Sequence, residues 1–193
     1  MKNLFTIDGK GHLMGRLASI CAKYLLSGNK IVIINCEKIE LSGKLIKNKF
    51  KYLSVFKKRT TTNPKRGPFH FKSPSQIIWK AIRGMLPHKT KRGTSALYNL
   101  KVYDGEPLFY VKTKKLIVPT ALRIIKLKPG RIYSKLGDIS DGIGWTKKSL
   151  IDRFDDFKGK KNKLYYHHKI TEINNKIIKS IQNRHLEIFN IKD

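Results

Sequence analysis

LFTIDGKGHLMGRLASICAKYLLSGNKIVIINC, residues Leu4–Cys36, is the stretch whose reading sets the fold class. LFTID alternates like a short strand and is closed by Gly9 and Gly11. Leu17, Ile20, Cys21, Tyr24 and Leu25 then recur at i, i+3, i+4, i+7 and i+8, which predicts an amphipathic helix from about Arg16 to Ser27. Gly28 and Asn29 supply its stop. Ile31–Cys36 is an unbroken run rich in β-branched residues, the pattern of a strand buried on both faces. Strand, helix and strand at this spacing predict a right-handed parallel crossover, and with it an α/β domain.

The glycines at the first turn invite a nucleotide-binding reading, because backbone amides before a helix can cradle phosphate. The spacing argues otherwise. Gly9–Leu17 does not follow G-x-G-x-x-G, no G-K-[ST] closes a phosphate loop, and no acid ends the second strand where a ribose would sit. A tight strand-to-helix turn is the better reading. His12 and Arg16 remain there as candidates to meet an RNA phosphate.

Further along, a basic helix after Gly43 carries Leu45, Phe50, Leu53 and Phe56 to the cations at Lys57–Arg59. Pro64, Gly67 and Pro68 make Thr60–Lys72 a loop. Ser73 is placed to cap the next helix, with Pro74 at its first position, and that helix ends between Met85 and Pro87. Thr94–Leu100 reads as a short helix and Leu100–Gly105 as a third strand. An extended excursion with a short helix near Thr120–Ile125 follows. The pattern is helical again from Leu136, broken by Gly142 and Gly144 near Trp145, and a long polar helix follows, expected in two pieces around Gly159. The expected organisation is an α/β domain over residues 1–130 and a helical C-terminal extension over 131–193.

The charge is what sets this chain apart. Its 193 residues hold 42 Lys and Arg against 13 Asp and Glu, a net charge of +29. Solubility does not need that much, and self-repulsion works against folding, so a polyanionic partner is implied. Nucleic acid leads, because cations on phosphates release condensed counterions; an anionic membrane surface comes second. The excess is concentrated: between Glu40 and Asp104 there are sixteen Lys and Arg and no acid, mixed with apolar residues that a disordered tail would lack.

Other classes find little support. No segment has the roughly 18 apolar residues of a membrane span. The N-terminus lacks the apolar run of a secretory signal, so a cytosolic protein is expected. Cys21 and Cys36 read as free buried thiols, since neither a disulfide framework nor paired zinc-ligand spacing is present. None of the six histidines joins a Ser or Cys in a recognisable nucleophile motif. No catalytic residue, metal, cofactor or small-molecule substrate is expected.

The candidate RNA-binding residues therefore come from the basic stretch and its flanks. Lys44 opens the basic helix and Lys57, Lys58 and Arg59 close it. Lys65, Arg66, His70 and Lys72 lie in the Pro/Gly loop beside Phe69 and Phe71. Arg83 ends the next helix, followed by His88, Lys89, Lys91 and Arg92. Lys and Arg in loops chiefly hold phosphate and fix position rather than read bases. Aromatics among them can stack on splayed bases, although Trp79 is better read as core. In RGMLPHKTKRG, Arg83–Gly93, the apolar Met85, Leu86 and Pro87 are expected to anchor a helix end. His88–Gly93 would then project as a rigid cationic loop, with Gly84 and Gly93 giving a phosphate backbone close approach.

These residues also carry a resemblance. IRGMLPHKTKRGTSALYNLKVYDG, Ile82–Gly105, resembles the signature of the universal large-subunit ribosomal protein 13 family, in its eukaryotic and archaeal branch, called 13a in animals. DGKGHLMGRLAS (Asp8–Ser19), TNPKRGPFHF (Thr62–Phe71), VPTALRIIKLKPGR (Val118–Arg131) and the Gly pattern at Leu136–Trp145 extend it over about residues 3–150. The resemblance implies an α/β domain with a central parallel sheet flanked by helices. It also implies a structural role, bracing large-subunit ribosomal RNA in cytoplasmic ribosomes after assembly in the nucleolus, with no membrane partner. Neighbouring ribosomal proteins would meet the C-terminal helices. Asp152, Asp155 and Asp156 make the start of that extension less basic than the resemblance implies. Two other readings stand beside it: a free RNA-binding regulator working outside the ribosome, and a nucleotide-using enzyme built on the Gly9–Arg16 turn.

Overall fold

In the computed structural model, which describes residues 3–190, Leu4–Asp8 forms β1, Met14–Leu26 forms α1 and Lys30–Ile34 forms β2. The last three residues of the expected extension lie outside the described ones. β1 and β2 pair in parallel, from Leu4 opposite Lys30 to Asp8 opposite Ile34. Ile31–Ile34 are almost wholly buried, which is why this strand is apolar at every position instead of alternating. α1 buries Leu17, Ala18, Cys21, Ala22 and Leu25 on one face. It ends as the Gly28–Asn29 pair requires. Gly28 takes φ 87°, its amide bonds the Leu25 carbonyl at 3.0 Å, and the Asn29 amide bonds the Tyr24 carbonyl at 3.3 Å. That is a Schellman ending.

Leu100–Val102, β4, adds to the other side of β2 in parallel, giving the order β1, β2, β4. Helices α2 (Leu45–Lys57), α3 (Pro74–Met85) and α4 (Lys91–Tyr98) lie between β2 and β4 in sequence. α3 gives Ile77, Ile78 and Ile82 to the same core as α1 and β2. The expected fold class, a parallel sheet flanked by helices, is the observed one.

One feature was not legible. Glu40–Ser42 (β3) and Tyr133–Lys135 (β5) form a second, antiparallel sheet, Glu40 opposite Lys135. Two strands of three residues joined across some ninety positions leave no local periodicity to read. Asn48 of α2 locks this pair, donating from Nδ2 to the Ser42 carbonyl at 3.2 Å and to Ser134 Oγ at 2.8 Å. After short helices α5 (Leu108–Val111) and α6 (Arg123–Lys126), α7 (Leu136–Gly142) buries Leu136 and Ile139 completely. Gly137 sits so close to Glu37 that a Cβ would lie 3.0 Å from its carbonyl oxygen. The first compact unit reaches Lys148, and a second begins at Ser149.

From its second residue on, α8 (Lys148–Asn190), one continuous helix of 43 residues, belongs to that second unit. The expected break at Gly159 does not occur. A single glycine costs a helix about 1 kcal/mol, which a segment of this length absorbs.

Candidate nucleic-acid interface

At the Gly9–His12 turn, Gly9 and His12 face inward and Lys10 faces out. A Cβ on Gly9 would lie 2.8 Å from Ile39 and 2.9 Å from the Ile34 carbonyl, so glycine here permits strand packing. Its amide already bonds Ile34 O at 2.9 Å, the Lys10 amide bonds Asp8 Oδ1 at 3.1 Å, and the His12 amide bonds Gly9 O at 3.2 Å. Those amides are therefore spent within the protein and form no phosphate cradle.

His12 itself is fully buried. Its Nδ1 lies 3.1 Å from the Lys10 carbonyl, and its Nε2 accepts the Val118 amide at 3.0 Å. The second contact requires an unprotonated Nε2, so the proton sits on Nδ1. Burial lowers the imidazole's pKa, in keeping with a neutral ring. His12 thus ties the first turn to the Val118 segment, and the expectation that it meets RNA is corrected: nothing outside can reach it. Arg16, one turn on, is exposed and lines a shallow cleft with Lys51 of α2.

The basic stretch faces outward. Lys44, Lys57, Lys58, Arg59, Lys65, Arg66, Lys72, Lys89, Lys91 and Arg92 are all exposed, and Arg83 is half-buried. The loop after α2 is folded, not slack. His70 Nε2 lies 2.8 Å from the Lys58 carbonyl, and its ring meets Phe56 edge-on at 5.5 Å. The Asn63 side chain accepts the Lys65 amide at 3.1 Å in a single 3-10 turn at Pro64–Arg66. Phe71 meets Trp79 edge-on at 6.4 Å, and Trp79 packs against the core as expected. These contacts order the loop that carries Lys57–Arg59, Lys65 and Arg66, and Lys80 of α3 donates to its Phe69 carbonyl at 3.5 Å. His70 works from within, as a brace for the loop.

The α3 helix begins at Pro74 as read, but its cap is different. Ser73 Oγ donates to Asp104 Oδ2 at 2.5 Å, and Asp104 Oδ1 accepts the Ser75 amide at 2.7 Å. A carboxylate thirty residues away thus does the capping, and no local pattern could have shown it. At the far end only Leu86 anchors, at 4% exposure; Met85 and Pro87 are exposed, contrary to expectation. His88 Nδ1 sits 3.2 Å from the Arg83 carbonyl and 3.3 Å from that of Leu86, closing the turn. Thr90 then caps α4, its hydroxyl accepting the Gly93 amide at 3.2 Å.

Gly93 is also corrected. It is buried, and a Cβ there would fall 2.0 Å from the Pro87 carbonyl oxygen. Its missing side chain lets the loop close on itself and does not admit a phosphate. Lys91 and Arg92 occupy the first turn of α4, where two cations meet the positive end of the helix dipole. An anion outside the protein would relieve that arrangement.

The acids complete the picture. Asp8 takes the Asn35 side chain, Glu37 the Gly105 amide, Glu40 Arg123, Asp104 the α3 cap, Glu106 Lys115, and Asp138 and Asp141 Lys148. Among the described residues no ion pair involves a Lys or Arg of the stretch from Lys44 to Arg92. Lys47 and Lys51 of α2, at i and i+4, are further exposed cations that sequence reading did not single out. The two thiols are buried packing groups. Burial pushes Cys21 up to about 12 and Cys36 well above its ordinary value, which keeps both as neutral thiols.

Residues 2–108 match the family described as ribosomal protein L13. The chain is 50% identical over 150 residues to the large ribosomal subunit protein uL13 of Spodoptera frugiperda, covering 78% of this chain and 74% of that protein. It is also 50% identical over 145 residues to the uL13 of Drosophila melanogaster, covering 75% and 71%. With half its positions shared over three quarters of its length, this chain belongs to the ribosomal protein L13 family.

Proposed function

We propose that this chain is a structural constituent of the large ribosomal subunit, not an enzyme, and that it braces large-subunit rRNA in cytoplasmic ribosomes. The observation that carries the reading is the exposed cation set from Lys44 to Arg92, which finds no counter-charge on the described protein surface. Rigid loops and helix ends present these cations, so little ordering is needed when they meet phosphates. Arg16, Lys44, Lys57–Arg59, Lys65, Arg66, Lys72, Arg83, Lys89, Lys91 and Arg92 are the phosphate contacts in this reading. His70 and His88 hold the loops that display them.

The helix α8 serves a different kind of partner. Tyr166, Ile170, Ile173, Ile177 and Ile181 recur at three- and four-residue spacing, and each is more than half exposed. Such a stripe is the seam that a second helix covers. Neighbouring large-subunit proteins are its partners in this reading, and assembly takes place in the nucleolus.

Sedimentation of the tagged full chain from cell extract, at low and then raised salt, tests the proposal. Co-migration with the large subunit at both salts is expected. Migration away from it, or release at moderate salt, would instead support a regulator acting off the ribosome.

A further inference from the structure

α2 has an exposed surface, flanked by Lys44, Lys57 and Arg59 of the phosphate-contact set, whose apolar centre that set leaves unexplained. Its packed side carries Asn48, Tyr52 and Phe56, and Lys49 turns toward Gly142 of α7. Its outward side carries two adjacent stripes. One is apolar: Ile46 and Phe50, four residues apart, at 67% and 65% exposure. The other is polar and cationic: Lys47, Lys51 and Ser54, at i, i+4 and i+7. Shallow depressions open on both sides of the Phe50 ring, one edged by Lys47 and Lys51, the other by Lys57 and Arg59.

An aromatic ring this exposed, between cations and with no acid on its helix, is poorly placed for a core and well placed for a base. The geometry points to a stacking site for an unpaired RNA nucleotide: its base lies on Phe50 against Ile46, and its flanking phosphates lie on Lys47 and Lys51. This deepens the proposed rRNA binding and rests on it. Charge complementarity selects RNA over a protein partner. The apolar strip is narrow, Ile46 and Phe50 with Leu53 and Phe56 lining one depression, and cations edge it, so a protein covering it would need acids along its rim. Stacking on an aromatic is sequence-tolerant and is worth enough per base to be measured. Paired RNA keeps its bases stacked inside the helix and cannot use the site.

The test uses the purified full chain and two labelled probes, a short oligouridine and an RNA duplex of equal length. Phe50→Ala should weaken oligouridine binding by about five- to a hundredfold and leave duplex binding within about twofold. Phe50→Trp should restore it. A triple Lys89, Lys91 and Arg92 to Ala variant should weaken both probes. If Phe50→Ala leaves oligouridine binding unchanged while the triple variant weakens it, the stacking site is overturned and RNA binding stands. If the wild-type chain binds neither probe, the RNA reading itself fails. In isolated large subunits, short-wave ultraviolet light should link the peptide bearing Phe50 to a nucleotide. An amine-reactive cross-linker joining Lys47 and Lys51 to a neighbouring protein, with no nucleotide on Phe50, would assign the face to protein and overturn the inference. Because Phe50 is exposed, an unchanged melting temperature shows that the variants are folded.

Discussion

Gly9–His12 and His88–Gly93 are built from the same residue types but differ in how much cation they display, one exposed lysine in the first and three exposed cations in the second. Each joins a regular element to a helix, and each combines glycine, histidine and cations. In the first, Gly9 is squeezed between Ile34 and Ile39, and His12 is wholly enclosed with both ring nitrogens engaged. In the second, the glycine and histidine again face inward, but Lys89, Lys91 and Arg92 face out. The lesson is that glycine and histidine here are construction, and only the side chains they leave outside are available for recognition.

Substitution at His12 should break this comparison most severely. His12→Ala removes a fully buried ring and leaves the Val118 amide and Lys10 carbonyl without partners, so it should cost about 4 kcal/mol. Chemical denaturation of the two proteins checks it; a loss below about 1 kcal/mol would mean the site is not the staple described. Gly93→Ala should follow at about 3 kcal/mol, because its Cβ would collide with backbone that has nowhere to move. RNA affinity of the remaining folded protein should then fall with the loop.

Acidification sharpens the comparison at intermediate size. The pKa of His12 is lowered in the folded protein, so below about pH 6.5 the unfolded chain takes up a proton that the folded ring resists. Stability should fall as pH drops from about 6.5, by at most about 1.4 kcal/mol per pH unit. Burial raises Glu37, which favours the folded state on acidification and acts in the other direction. The contribution of His12 is therefore read as the difference between wild type and His12→Gln, and an identical pH profile for both would refute it.

The smallest effect on stability should come from the outward cations. Lys89, Lys91 and Arg92 to Ala should leave the fold intact or raise its stability by a few tenths of a kcal/mol, since two cations leave the positive end of α4. The same variant should flatten the salt dependence of RNA binding by about 0.9 units of slope for each phosphate it no longer neutralises. An unchanged slope would show that these side chains touch no phosphate.

Much of this was legible along the chain. The unbroken apolar run at Ile31–Ile34 and the stripe on α1 are local signals, and both elements formed where periodicity put them. The basic stretch was equally plain, because a lack of acids over sixty residues survives any folding. What was hidden depends on distant partners. The Asp104 cap on α3, the β3–β5 pair and the inward turn of His12 each join residues that are far apart along the chain. No local pattern encodes such contacts. Gly93 was misread because a glycine's purpose depends on what lies against it, here the Pro87 carbonyl.

The most direct measurement is an amine-reactive footprint of this chain in isolated large subunits, before and after ribonuclease digestion. Lys57, Lys58, Lys65, Lys89 and Lys91 should be shielded in the intact subunit and become labelled once the RNA is removed. Equal labelling before and after digestion would contradict the claim that this acid-free surface rests on rRNA.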